Sequence, residues 1–186
     1  SHAGSTPMPG RRDALVAAAE IVSMVKLLAL EYAPYGVGTV GQMSVMPNSR
    51  NTIPGEVFLT VDIRNPDDAV LAEMTQKFKV CVTDCVDELG VECDIEEIWH
   101  CPPVKFDTTC IAAVEHAAQT LGYSNQRIVS GAGHDACQVC QVAPTSMIFV
   151  PCAGGLSHNE QESAEPADLE AGCNVLLHAM LALANS

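Results

Sequence analysis

Basic residues are scarce in this chain. Nine lysines and arginines stand against 23 aspartates and glutamates in 186 residues, a formal net charge of -14. A polyanion gains nothing from phosphate backbones or anionic lipid headgroups, which excludes nucleic acid and acidic membrane surfaces as partners. A small acidic substrate stays open, because one placed arginine overrules the global field locally. No uninterrupted apolar run reaches the ~18 residues of a bilayer span; the segment 21–30 is broken by Ser23 and Lys26. A disulfide framework is also lacking. The nine cysteines are odd in number and irregularly spaced, which points to free thiols in a reducing, cytoplasmic setting. Cys137 and Cys140 have no second pair at zinc-knuckle spacing, and they follow Gly-His-Asp rather than the first strand of a βαβ unit. Neither a zinc nor a thiol-redox motif is complete there. Finally, there is no initiator methionine and no leader-like segment ahead of the loop residues His2-Ala3-Gly4-Ser5-Thr6-Pro7. The expectation is the C-terminal part of a longer protein.

What is present is ample apolar content, 48%, and clear periodicity. Residues 11–31 carry Ala18, Ile21, Val25 and Leu28 at helical spacing, ended by Pro34. Two strands follow. In 56–64 the apolar Val57, Leu59, Val61 and Ile63 alternate with a mostly polar face, while 38–46 alternates less cleanly. Residues 47–55 form a loop between turn formers. A second helix over 67–89 is predicted with a stripe of Leu71, Met74, Phe78, Cys81, Cys85 and Leu89, and a third strand with Val91, Cys93 and Ile95. The first fold expectation is therefore an α+β domain over 1–105, an antiparallel sheet with two helices on one face. Cys101-Pro102-Pro103 marks its end. Over 106–186 the sequence predicts a helix from the N-cap Asp107 to Leu121, a short helix, an apolar strand at 146–150 and a last helix over 166–184. This reads as the end of an α/β domain whose other strands lie elsewhere.

Two glycine-bounded histidine loops flank that apolar strand. Ser130-Gly131-Ala132-Gly133-His134-Asp135 precedes it, and Gly154-Gly155-Leu156-Ser157-His158-Asn159 follows it. An imidazole beyond the carboxyl end of a parallel strand sits where ligands bind in such sheets. His158, with Glu160 and Glu162 near it, suits zinc binding or proton transfer; the alternative is a loop histidine held by backbone bonds. Asp135 either orients His134 or caps the helix after it. Arg64 at a strand end suits a substrate carboxylate through two parallel hydrogen bonds, or else a surface ion pair with Asp62 or Asp67. Asn51 is either a turn former or a partner for an amide or ureido group. His2 alone reads as an exposed loop residue. His100, His116 and His178 read as structural.

Taken in order, these motifs resemble a known family. His2-Ala3-Gly4-Ser5-Thr6-Pro7-Met8 with Arg11-Arg12-Asp13, Asn48 through Asn51 to Gly55, Val61-Asp62-Ile63-Arg64, Ser130 through His134-Asp135, and Ser157-His158-Asn159 are similar to motifs of the N-carbamoyl-L-amino-acid hydrolase and allantoate amidohydrolase group. β-Ureidopropionases share that fold, and all fall within the M20 metallopeptidase-like family. The resemblance covers essentially the whole chain. It implies an enzyme about twice this length, with a two-metal catalytic domain (Zn, Mn, Co or Ni) interrupted by a lid that also makes a homodimer. Residues 1–105 would be most of the lid, and 106–186 the C-terminal segment of the catalytic domain. It further implies roles for five residues. His158 would ligate metal and His134 contact substrate. His2 would stabilise the oxyanion in the partner subunit's site. Arg64 would grip the substrate carboxylate, assisted by Asn51. The remaining metal ligands and the general base would belong to an N-terminal half not in this sequence. Asn159-Glu160 departs from the Asn-Pro of many relatives. The implied activity is hydrolysis of N-carbamoyl-L-amino acids, with allantoate and β-ureido acids as alternative substrates. A non-catalytic dimerisation or regulatory module lacking the metal centre is the alternative of another class.

Overall fold

The Asp13 carboxylate accepts hydrogen bonds from the backbone N–H groups of Leu15 at 3.0 Å and Val16 at 3.4 Å. Those donors have no partner inside a helix, so the cap fixes where the first one begins. In the computed structural model, which describes residues 1–185, helix α1 spans Ala14–Glu31. Arg11 and Arg12, predicted as helical, belong instead to the preceding loop. Strands β1 (Val37–Met46) and β2 (Glu56–Arg64) form an antiparallel two-stranded sheet. Its register pairs Val37 with Arg64 and Met46 with Glu56. The ladder shifts between Val40 and Gln42. One extra residue there explains why β1 alternates poorly as a sequence: a bulge moves the later residues to the opposite face.

Helix α2 (Asp68–Leu89) is capped by Asp67 and ends at Gly90 in the left-handed region. It joins α1 on one face of the sheet. Ile21, Val25 and Leu28 of α1 and Phe78, Val82, Cys85 and Val86 of α2 are buried, with Val40, Leu59, Val61 and Ile63 packed against them from the strands. Val82 and Val86 thus take the central places expected for Cys81 and Leu89. A stripe stepping by threes and fours drifts around a long helix, and the buried face follows the drift. At Gly38 the sheet comes so near α1 that an added Cβ would lie 2.9 Å from the Val25 carbonyl oxygen.

The chain divides into two compact units, Ser1–Pro103 and a second beginning at Val104. In the second, Asp107 caps α3 (Thr108–Thr120) by accepting from Cys110 N–H at 2.8 Å. Helix α4 is the single turn Ala136–Val139, and α5 runs Pro166–Ala184 with proline in its first turn. Asp135 stands at the start of α4 but makes no side-chain capping bond. Ala117 and Ala118 of α3 meet Val175 and Ala179 of α5, with Val114, Leu121, Tyr123 and Ile148 around them. Small side chains let the two helices approach closely. Helix α5 is long and apolar enough to cross a membrane by length and composition alone, with hydropathy 1.2. It nevertheless carries Asp168, Glu170, Asn174 and His178.

Two predicted strands do not form. Residues 91–95 run irregularly beside α2, tied by Val91 N–H to the Val86 carbonyl at 3.0 Å and by Lys79 to Glu97 at 3.0 Å. Glu92, Asp94 and Glu96 fall at alternate positions, and like charges on one face oppose pairing. Residues 146–150 are mostly half-buried, but no described segment forms a ladder with them. A strand is defined by its neighbour, and the second unit supplies none among the described residues. The expected parallel sheet is therefore not seen there.

The two faces of the sheet differ in what a truncation costs. Phe78→Ala, in the core, is expected to lower unfolding free energy by about 3–5 kcal/mol. Phe58→Ala, on the face away from the helices and 54% exposed, is expected to cost no more than about 0.5 kcal/mol. Equal losses in urea titration would contradict this assignment of faces.

Candidate active-site residues

His2 and Asn51 are brought together. Antiparallel bonds join their segments: Ala3 N–H to the Asn51 carbonyl at 2.7 Å and Ile53 N–H to the Ser1 carbonyl at 2.8 Å, with His2 opposite Thr52. Ile53 is buried and anchors the loop from below. The His2 ring accepts at Nδ1 from Gly4 N–H at 3.1 Å and Ser5 N–H at 3.3 Å. Backbone amides only donate, so Nδ1 carries no proton and Nε2–H is left as a donor. The Asn51 amide oxygen takes the Ser49 hydroxyl at 3.0 Å, which presents its NH2 group for donation. Both side chains are exposed. Each is an exposed donor of the kind that suits a polarised carbonyl or a carboxylate.

Arg64 is not part of that cluster. It lies at the far end of β2, opposite Val37, whereas the Asn51 loop joins the end at Glu56. Eight residue steps of strand put roughly 26 Å between Glu56 and Arg64. Arg64 donates from Nε to Asp62 Oδ1 at 2.9 Å and from Nη2 to Asp62 Oδ2 at 2.5 Å. The surface ion pair weighed from the sequence is thus formed. Hydrogen bonding from Arg64 holds the Asp62 carboxyl below its usual range, against a smaller opposing effect of burial. The same pairing raises the guanidinium.

In the second unit the Ser130 hydroxyl lies 2.7 Å from His134 Nε2, and the His134 ring meets Phe149 edge-on at 5.6 Å. Phe149 belongs to the apolar segment, so that segment steers the imidazole by ring packing. His158 sits at φ 55°, in the left-handed region, after Gly154 and Gly155, which are also left-handed. Its Nδ1 lies 2.8 Å from the Ser157 hydroxyl, and its N–H donates to Glu162 Oε2 at 2.8 Å. Ala153 N–H closes the loop onto the Ser163 carbonyl at 2.7 Å. Glu162, suggested by sequence only as a neighbour of His158, proves to hold the loop backbone. The aiming contacts of Ser130, Phe149 and Glu162 carry no motif of their own and were not legible. Arg11 was legible as part of a motif but without a role.

Among the described residues no group of three His, Cys, Asp or Glu side chains could hold a metal ion. Catalytic zinc takes about three protein ligands. His158, with Nδ1 engaged by Ser157 and Nε2 making no hydrogen bond, fits as one ligand of such a set and not as the set. Cys137 and Cys140 are free, like the other seven cysteines, and Cys140 Sγ donates to the Cys137 carbonyl at 3.1 Å.

The histidine loops of the second unit and the His2 and Asn51 segments of the first are among the motifs by which the chain resembles the M20 metallopeptidase-like family. Comparison bears this out at family level: residues 4–182 match the model of peptidase family M20/M25/M40, and the chain belongs to that family. It is 50% identical over 181 residues to an N-carbamoyl-L-amino-acid amidohydrolase of Rhizobium meliloti, covering 97% of this chain and 44% of that protein. It is 34% identical over 184 residues to an allantoate amidohydrolase of Bacillus subtilis, covering 99% and 45%. A crystal structure of an amidase of the hydantoinase/carbamoylase family from Burkholderia multivorans superposes with a TM-score of 0.94 at 56% identity, over 98% of this chain and 44% of that one. The chain spans less than half the length of these relatives.

The ion pair at Arg64 has a pH signature. A carboxyl depressed in the folded state stabilises the fold above its ordinary value of 3.8, and the contribution is lost as pH falls through the depressed value. The two side chains are 48% and 51% exposed, which limits the effect to below about 1 kcal/mol. The stability difference between wild type and Asp62→Asn is expected to shrink below pH 3.8 in urea titrations. A difference independent of pH would mean that the pair is not populated in solution.

Proposed function

We propose that this chain forms part of a metal-dependent amidohydrolase acting on the carbamoyl C–N bond of N-carbamoyl-L-amino acids. The observation that carries the reading is that the His2 segment is hydrogen-bonded to the Asn51 loop beyond one end of β2 while Arg64 stands at the other. A carbamoyl amino acid offers both a carboxylate and a polarisable ureido carbonyl, the two groups these side chains suit. Identity to a carbamoyl-amino-acid hydrolase, higher than to the allantoate enzyme, favours the former substrate over allantoate and β-ureido acids.

Roughly 26 Å of strand separates Arg64 from Glu56, where the Asn51 loop joins, which argues against one copy applying all three side chains to one small molecule. We therefore read the first unit as a lid and homodimerisation domain. His2 and Asn51 enter the partner subunit's site, and Arg64 serves another. The outer face of α1, with Val16, Leu27 and Leu30 exposed, offers apolar area for that association. In the second unit, read as the end of the catalytic domain, His158 supplies one ligand to a divalent pair and His134 contacts substrate. Such a pair, when bound, polarises the carbonyl and activates water. His2 donates Nε2–H to the oxygen that gains charge, Asn51 donates its NH2 beside it, and Arg64 orients the carboxylate through its planar fork. Hydrolysis releases the amino acid, carbon dioxide and ammonia. The free cysteines suit a cytoplasmic setting.

The absence of a three-ligand group among the described residues favours a second reading for the chain alone, a dimerisation or regulatory module. Two assays separate them. The isolated 186-residue chain is expected to show no turnover of N-carbamoyl amino acids with added zinc or manganese; turnover would overturn the assignment of the missing ligands. In a protein of the relatives' full length carrying these residues, Arg64→Ala is expected to raise KM for carboxylate-bearing substrates roughly tenfold or more. An unchanged KM would remove Arg64 from carboxylate binding.

A further inference from the structure

The segment 1–10 has no buried residue, and Met8 is 72% exposed. Apolar packing therefore does not shape the turn that carries His2. Hydrogen bonds do. The His2 carbonyl accepts from Thr6 N–H at 3.2 Å and from the Thr6 hydroxyl at 2.8 Å. Arg11, half-buried just before α1, donates from Nη2 to the Ala3 carbonyl at 2.8 Å and to the Thr6 carbonyl at 2.5 Å. Its Nε is buried with no hydrogen-bond partner. An unsatisfied buried donor is costly, so the guanidinium is not placed here for its own solvation. Its two charge-assisted bonds to the turn are what the position secures.

The link to the imidazole is covalent geometry. The Ala3 carbonyl and the Gly4 N–H belong to one planar trans peptide, so clamping the oxygen fixes the direction of the N–H. That N–H is the nearer of the two donors to His2 Nδ1, at 3.1 Å. Gly4 has no Cβ because one would lie 3.2 Å from His2 Cε1. The run of rigid parts is continuous: the buried face of α1, Arg11, the Ala3–Gly4 peptide, the His2 ring.

We propose that Arg11 is a positioning residue for His2, setting the imidazole tautomer and aim through the Ala3–Gly4 peptide. This rests on the reading of His2 as the oxyanion donor; the tautomer measurement does not. In long-range 1H–15N spectra of the 186-residue chain, wild-type His2 is expected to carry its proton on Nε2. Arg11→Ala is expected to populate both tautomers, and Arg11→Lys to restore the preference only in part, since one ammonium does not reproduce the fork. An unchanged tautomer in folded Arg11→Ala overturns the proposal. Should that variant fail to fold, the same comparison is made with Arg11→Lys, where an unchanged tautomer again overturns it. In a full-length enzyme carrying these residues, Arg11→Ala is expected to lower kcat about ten- to a hundredfold with KM within about twofold. His2→Asn, made in parallel, isolates the premise. If it leaves kcat intact, the role of His2 falls while the tautomer result still decides that of Arg11.

Discussion

The antiparallel ladder between β1 and β2 is the constraint on which the first unit depends. Its register fixes which residues lie at each end of the hairpin: the loop with Asn51 beyond Met46 and Glu56, and Arg64 opposite Val37. Helices α1 and α2 bury the one apolar face this register creates. In turn, α1 begins where the His2 turn ends. A slip by one residue would invert Leu59, Val61 and Ile63 to solvent and lose the core. The separation of the candidate site residues is thus a property of the fold's most strongly specified element.

Much of this was legible in the sequence because local chemistry determined it. Asp13, Asp67 and Asp107 begin helices by satisfying backbone donors, and Gly90 and Pro166 fit one end and one start. These signals act within four residues and need no tertiary context. Strands at 91–95 and 146–150 failed as predictions because β structure is a relation between segments. Alternation shows that a segment can pair; it does not show with what. The drift of the α2 stripe to Val82 and Val86 was hidden for a related reason: which of the drifting positions is buried is decided by the helix and strands packed against it.

Among the candidate site residues, the motifs gave identity and the structure gave grouping. Nothing in spacing alone hydrogen-bonds the His2 segment to the Asn51 loop, 49 positions on, or sets Arg64 at the other end of β2. Single side chains also changed meaning. Arg64 is engaged with Asp62, so the carboxylate proposed to bind there would have to share or displace an existing partner. Glu162 shapes the loop of His158 through its backbone, and Phe149 steers His134 from an apolar segment. Such supports are invisible to pattern reading because any residue of the right reach could serve.

His158 illustrates how a fold can work against its own stability. A left-handed backbone, φ 55° here, costs least for glycine and is uncommon for any residue with a Cβ, histidine included. Any optimisation of this chain guided by thermal tolerance alone would drift toward glycine at that position, and each such gain would erase the imidazole proposed above as a metal ligand. Under the proposed role, the histidine marks a position where selection for chemistry and selection for robustness pull in opposite directions.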